Sequence, residues 1–504
     1  MIPCTITLPS LFNPPAKTLS LSETKAIHAH AIKTSLLDSH VHSVNNLLKL
    51  YTISGDISSA RNLFDRIPHR DTISWTTLIR AYTKSGTPSE SIRLFFQMLD
   101  TSPDTKPDQI TLTVVLSACA ALGNLQLARD LHTYINTNTS IANDIHLGNA
   151  LISMYSKCGD IDTAYKLFTR TRLAERNIVT WNSIISGLTS NAKFKEALSL
   201  FRKMQRIGVK PDQVTLVAML NACANLGTLD IGQWLHTLIT QSQTLINNHF
   251  MANALIDMYG KCGSIDRAHR VFTSIKPKHR DVYSYTSMIT ALAMHGRGEK
   301  ALHLFADMLK AGIKPNRVTF IGVLSACNHA GIVATGLSHF QSMSSIHSIE
   351  PQMEHYSCIA DMLARAGLVE EALNLIKNMP FKPDSAMWSS LLSACRIHGN
   401  VSLAESIMRQ VDSDNDNEDE DYYVLMSNIY KEAKRGRDAS SQHMEMSKKR
   451  KAKKKKKKKK EPGCSLIEIN GEVHEFKKGS ISHPQTKDIH LMLHNIHTHL
   501  KYYH

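Results

Sequence analysis

The chain has 504 residues, 42% hydrophobic, 20% charged and 6% aromatic, which excludes a chain disordered by composition or built for a membrane and leaves length for several domains. Its formal net charge is +15; Lys448–Lys460 holds 12 of the positive charges and Asp412–Asp421 seven of the negative ones, so the rest still carries +10. Positive charge spread in this way suits a partner with distributed negative charge, nucleic acid first, better than a single anion pocket.

In chain order, residues 1–22 hold no acidic residue and one Lys17, with Ser, Thr and Pro in excess, a composition that resembles an organelle transit segment. The absence of Arg before Arg61 tilts it from a mitochondrial presequence towards a plastid one. Beyond it the chain repeats. Segments beginning at Val41, Ile145, His249 and Met353 are alike and lie 104 residues apart, as are those beginning at Gln109, Gln213 and Arg317. A third series begins at Thr72, Ile178 and Val282, with Trp75, Trp181 and Tyr285 at the matching place. Three kinds of unit, of 31 to 37 residues, therefore alternate.

Each unit reads as two helices. In the copy from Ile178 to Asp212, Ile184, Ile185 and Leu188 give one apolar stripe and Ala197, Leu198, Phe201 and Met204 a second; Asn191 and Lys193 fill the turn, and Gly208 and Pro211 close the pair. So short a pair cannot bury its apolar face alone. The units must stack, which gives an all-α fold, an α-solenoid superhelix of helix-turn-helix repeats with function on its inner face. The longest uncharged stretch, Gln109–Ala128, is broken by Gly123, Asn124 and Gln126 and reads as a core helix pair, so no membrane partner is expected. Nine cysteines form no C-x-x-C pair; Cys119, Cys223, Cys327, Cys158 and Cys262 read as small core residues at helix contacts, neither disulfides nor metal ligands.

A period near 34 also fits tetratricopeptide repeats, which bind peptides. The segments VTWNSIISGLTSNAKFKEALSLFRKMQRIGVKPD and VYSYTSMITALAMHGRGEKALHLFADMLKAGIKPN instead resemble pentatricopeptide repeats almost residue by residue. The alternation of short, standard and long units over residues 23–384 is similar to the PLS subfamily of plant organelle proteins. SAMWSSLLSACRIHGNVSLAE, YYVLMSNIY and EPGCSLIEINGEVHEFKKGSISHPQTKDIHLML resemble the E1, E2 and E+ motifs that follow such arrays, placed over residues 385–421, 422–460 and 461–504. In that family these extensions mark C-to-U RNA editing factors, many with a further deaminase domain. Zinc deaminase chemistry needs H-x-E together with P-C-x-x-C, and the only Pro-Cys step is Pro3-Cys4. No phosphate-binding loop occurs either. The resemblance thus implies a protein with no catalytic residues, metal or cofactor, whose partners are single-stranded organelle RNA and a DYW-type deaminase or other editing-complex protein in trans.

The resemblance places a base-reading pair at the fifth and last residue of each unit. These pairs are Asn45 with Asp71, Asn182 with Asp212 and Asn253 with Asp281 for uracil; Thr76 with Asp108 and Ser357 with Asp384 for guanine; Asn149 with Asn177 for cytosine; and Thr286 with Asn316 for adenine. Ile73, Val179 and Tyr283, second in the standard units, would sandwich the bases. A lone Asn or Thr near a helix start is ordinarily a cap; recurrence in seven units points to reading. The long units depart, with Thr113 and Asp144, Val217 and Asn248, and Ile321 and Gln352, and are expected to act as spacers. The Lys453–Lys460 block departs most from the family and reads first as a solvated, self-repelling run, with nonspecific phosphate contact and then a nuclear address as its functional alternatives. Two alternatives to editing remain, an RNA stabilisation, processing or splicing role and a protein-interaction scaffold.

Overall fold

The computed structural model describes residues 20–33, 41–101, 105–137, 144–241, 249–413, 421–434, 464–469 and 472–477, with a few single positions between 438 and 496. Nearly all of the transit-like segment, the Lys453–Lys460 block and most of the acidic run fall outside the described residues.

Every unit start expected from the repeat is the first residue of a helix. The first helices are Val41–Ile53, Thr72–Lys84, Gln109–Leu122, Ile145–Lys157, Ile178–Ser190, Gln213–Leu226, His249–Lys261, Val282–Met294, Arg317–Ala330 and Met353–Arg365. Each is followed by a second helix. In the copy from Ile178 these are Ile178–Ser190 and Phe194–Arg206, and the seven apolar residues expected to face the core are all buried. The turn between the helices passes through left-handed backbone, where glycine carries no Cβ penalty: Gly123 (φ 65°) closes Gln109–Leu122 with its N–H on the Cys119 carbonyl. Ala192, at φ 57°, stands where the other standard units have Gly86 and Gly296.

The chain divides into two compact units, Met1–Met219 and Leu220–His504. In each, leaving aside Gln213–Leu226, which spans the division, successive first helices pack side by side and second helices cover their own first helices, the stacking of an α-solenoid. The fourth residue of a first helix plugs the core against the preceding pair: Trp75 on Phe64, Trp181 on Phe168 and Tyr285 on Phe272 meet edge to face at 4.8, 5.0 and 5.3 Å between ring centroids. Small residues let the first helices approach. A Cβ on Gly187 would collide with the Ser156 side chain, and one on Gly260 would come within 2.7 Å of the Ala291 Cβ.

Ser385–Ile397 and Val401–Ser413 add one more helix pair, and Asp421–Glu432 lies against the first of them, burying Tyr422, Met426 and Ile429. Beyond it the tail contains an element for which the sequence analysis had no expectation, an antiparallel hairpin of β1 (Cys464–Ile469) and β2 (Glu472–Lys477) with Cys464 opposite Lys477. The Asn470-Gly471 step between two apolar-polar runs is its signal in the sequence.

Candidate nucleic-acid interface

The site is built at the junction between one unit and the next. The last residue of a unit is the N-cap of the following first helix: Asp71 accepts from the Ser74 N–H at 2.8 Å, Asp108 from Thr111 at 2.7 Å, Asn177 from Thr180 at 3.0 Å and Asp212 from Thr215 at 3.0 Å. Asp281, Asn316 and Asp384 do the same with Ser284, Thr319 and Met387 at 2.8 to 2.9 Å. Capping and pairing thus coexist, because a carboxylate has acceptor capacity beyond the one cap bond.

The fifth residue of the unit faces that cap. Asn45 donates Nδ2 to both carboxylate oxygens of Asp71 at 3.0 Å, and Asn182 to those of Asp212 at 3.0 and 2.9 Å; Asn253 reaches Asp281 at 3.4 Å. A third group completes the junction. The Ser74 hydroxyl donates to Asn45 Oδ1 and the Thr215 hydroxyl to Asn182 Oδ1, both at 2.6 Å. With threonine in fifth place the same hydroxyl becomes a relay: Thr76 Oγ1 lies 2.6 Å from Thr111 Oγ1, which donates to Asp108 at 2.7 Å, and Thr286 lies 2.7 Å from Thr319, which donates to Asn316 at 3.0 Å. The Asn149 Nδ2 is buried with no protein partner, so this pair, unlike the uracil pairs, is not joined by a hydrogen bond. Ser357 turns back onto the Met353 carbonyl at 3.0 Å.

The buried hydroxyls at third place in the standard and long units were missed in the sequence reading, although Ser74, Thr111, Thr180, Thr215, Ser284 and Thr319 recur there and none is exposed. The three short units that follow a long unit have Leu147, Met251 or His355 in that place. A long unit, which always precedes a short one, therefore has no hydroxyl to hold its fifth residue. In the first long unit Thr113 turns back to the Gln109 carbonyl at 2.8 Å, and Gln109 takes Asp144 at 2.7 Å. Val217 and Ile321 are half-buried, and Asn248 lies outside the described residues.

Second in the first helices, one turn from the readers, stands an exposed apolar series. Ile73, Val179 and Tyr283 are 59, 51 and 60% exposed; Ile110, Val214, Phe250 and Val318, which the sequence reading did not single out, are as exposed. Residues 2 and 5 of a helix share a face, so Thr76, Asn182, Asn253 and Thr286 each have an apolar ledge one turn away, whereas His42, His146 and Glu354 stand there beside Asn45, Asn149 and Ser357. Electrostatics favour a charged acceptor there. Burial works to raise the Asp71 carboxyl, but the Ser74 N–H and hydroxyl and the Asn45 amide outweigh it and hold it below the usual carboxylate range; Ser284 and Asn253 do the same for Asp281.

Among the described residues no group of three His, Cys, Asp or Glu is placed to hold a metal. One H-x-E triplet, His443-Met444-Glu445, was passed over in the sequence reading; it lies outside the described residues and no P-C-x-x-C accompanies it. No described helix is long and apolar enough to cross a membrane.

The model of the PPR repeat family matches residues 176–225 and 280–329, and that of the PPR repeat matches 73–100, 149–172, 250–276, 354–382 and 386–415. The chain is 38% identical to the pentatricopeptide repeat-containing protein At1g08070, chloroplastic, of Arabidopsis thaliana, over 98% of this chain and 69% of that protein. It is 36% identical to At2g22410, mitochondrial, of the same plant, over 98% of this chain and 75% of the relative. Its fold is similar to the crystal structure of the pentatricopeptide repeat protein PPR10 in complex with an 18-nt psaJ RNA element, with a TM-score of 0.64 at 18% identity over 82% of this chain and 62% of that one.

Proposed function

The chain belongs to the pentatricopeptide repeat family, and on that premise we propose that it binds single-stranded RNA in a plant organelle and marks a cytidine for C-to-U editing by a deaminase supplied in trans. The observation that carries the reading is the clamped carboxamide at the Asn45–Asp71 and Asn182–Asp212 junctions. A carboxamide has two N–H donors and two acceptor lone pairs. With one donor on the carboxylate and one lone pair taken by the hydroxyl, each Asn keeps one donor and one acceptor side by side. Uracil presents the complement, an acceptor O4 beside the N3–H donor.

The other pairs follow the same logic. Asp108, behind the short Thr76, is acceptor-only and suits the N1–H and N2–H donors of guanine; Asn316, behind Thr286, keeps an amide donor for adenine N1. The unpartnered Asn149 Nδ2 suits cytosine N3. Read in the direction that the family resemblance implies, the array spells 5′-U-G-n-C-U-n-U-A-n-G, with the edited cytidine a few nucleotides downstream. The last G is the weakest position, since Met387 takes the third place where the other reading junctions have a hydroxyl and Ser357 turns back onto the Met353 carbonyl. The exposed ledges hold bases in place by apolar contact.

Two measurements test the reading. In binding assays this RNA should win over a version with purines at the two positions read by Asn182 and Asn253, and equal affinity would reject the pairing. Transcript sequencing in a loss-of-function line should find one organelle cytidine unedited. Altered transcript ends with complete editing would move the protein to the stabilisation or processing class.

A further inference from the structure

The cysteines read as inert core residues are placed two by two. Cys119 closes the last turn of Gln109–Leu122 and is wholly buried, whereas Cys158, the C-cap of Ile145–Lys157, is half-buried and not the core residue expected. The two helices pack against each other, and each thiol lies close enough to shift the other's titration. One period later the arrangement recurs: Cys223 is wholly buried, Cys262 half-buried, and the Cys262 Sγ lies 3.6 Å from the Cys223 carbonyl oxygen. Both pairs join a long unit to the following short unit, and in both the partners are 39 residues apart. The next two copies lack the second thiol, since the matching partners of Cys327 and Cys395 are Ala366 and Lys434.

We propose that Cys119 with Cys158 and Cys223 with Cys262 are two reversible dithiol–disulfide sites, closed by a small-molecule disulfide such as oxidised glutathione, each of which clamps a long unit to the short unit after it. The half-buried thiol, as thiolate, attacks the glutathione disulfide and releases one glutathione thiol. The buried thiol then loses its proton to solvent and attacks the mixed disulfide, releasing the second. Two protein thiols lose two electrons and two protons, and one disulfide becomes two thiols. Burial pushes Cys119 up to about 12 and raises Cys158 as well, so the pair is protected at neutral pH and reacts faster as pH rises. The thiols sit at the C-terminal end of helices whose N-terminal end carries the reading residues, about 15 Å away along the axis. Closure therefore stiffens the junction without touching base choice.

The full-length reduced protein, incubated with oxidised glutathione at pH 8 and then mapped by non-reducing peptide mass spectrometry, tests this. The expected links are Cys119–Cys158 and Cys223–Cys262, each reversed by dithiothreitol, with Cys327 and Cys395 remaining thiols and the unfolding midpoint raised by several degrees. Cys158→Ser and Cys262→Ser should each delete one link and leave the other, and Ala366→Cys should create a third with Cys327. Thiols that stay reduced, glutathione adducts that never resolve, or links scrambled among other cysteines would each overturn the proposal; so would an Ala366→Cys variant in which Cys327 stays free while the two native links form.

Discussion

The junctions that enter a standard or long unit and those that enter a short unit are made from the same helix pair, yet they differ in what surrounds the polar pair. Entering a standard or long unit, the chain supplies a cap, a buried hydroxyl at third place and an exposed apolar second residue, as with Asp212, Thr215 and Val214. Entering a short unit from a long one, it supplies Leu147, Met251 or His355 in place of the hydroxyl. Reading is therefore a property of the junction, and the unit downstream decides whether the fifth residue upstream is held. On this account the long units fall silent for two reasons, their apolar Val217 and Ile321 and the missing hydroxyl beyond them.

The largest effect should come from a feature that the three short-to-standard junctions share. Arg176 donates Nε to the Thr171 carbonyl at 3.0 Å and lies over the Phe168 ring at 4.3 Å; Arg70 and Arg280 repeat the geometry on Phe64 and Phe272. Arg176→Ala removes the stacked guanidinium and leaves a carbonyl without its donor, a loss of about 2–4 kcal/mol. The urea midpoint should fall clearly, and Arg176→Lys, which keeps charge but not the planar fork, should recover only part. A midpoint unchanged by Arg176→Ala would mean that these junctions do not carry the stability of the array.

Thr215→Val strikes the clamp itself. It leaves Asn182 Oδ1 buried without its donor, at a cost of about 1–3 kcal/mol, and frees the carboxamide to turn. Uracil preference at that position should drop several-fold while the other positions keep theirs. Asn182→Thr with Asp212 kept should instead move the same position towards guanine. A uniform loss of affinity from either change would show that the junction supports the fold alone.

How much of this was legible depends on the range of the signal. The helix starts were read correctly because an error at one copy is corrected by the copy 104 residues away. The polar pairs could be placed because the family resemblance fixes their register. The hydroxyl was in plain view at third place, but its role rests on a contact such as Thr215 to Asn182, 33 residues apart, which no local pattern announces. Cys158 and Cys262 were misjudged for a related reason, since a helix-capping position looks the same in sequence as a core one. The hairpin was overlooked beside the stronger periodicity of the array.

A pH dependence separates the other kind of junction. In the long-to-short step His28, His132 and His236 each set Nδ1 2.8 to 2.9 Å from the hydroxyl of Tyr51, Tyr155 or Tyr259. Burial first, then a nearby Arg66, Arg170 or Arg267, lowers the three imidazoles below their ordinary value. A base whose folded pKa is depressed binds fewer protons folded than unfolded, so its contribution is whole above the unfolded value near 6.5 and is lost as pH falls below it. Stability should decline from pH 7 to 5. The fourth copy has Phe340 in place of the histidine, edge-on to Tyr356 at 5.2 Å between ring centroids, and Phe does not titrate, so changing the three histidines to Phe should flatten the decline. An equally steep slope in the triple variant would assign it to carboxylates such as Asp71.

The smallest effect belongs to a position remote from every junction, which makes it the control for the rest. Ala192 holds φ 57° in the turn between Ile178–Ser190 and Phe194–Arg206, while Gly86 and Gly296 fill the equivalent turns. An L-residue in that conformation costs about 1–2 kcal/mol through its Cβ, and the looser unfolded chain of a glycine variant offsets part of the gain. Ala192→Gly should therefore raise the unfolding midpoint modestly, by up to about 1 kcal/mol of stability. Because the turn lies at the far end of the helix from Asn182, the base preference of that unit should not move. If the variant did change preference, stability alone would be tuning the readers, and the losses expected from Thr215→Val could no longer be ascribed to the clamp.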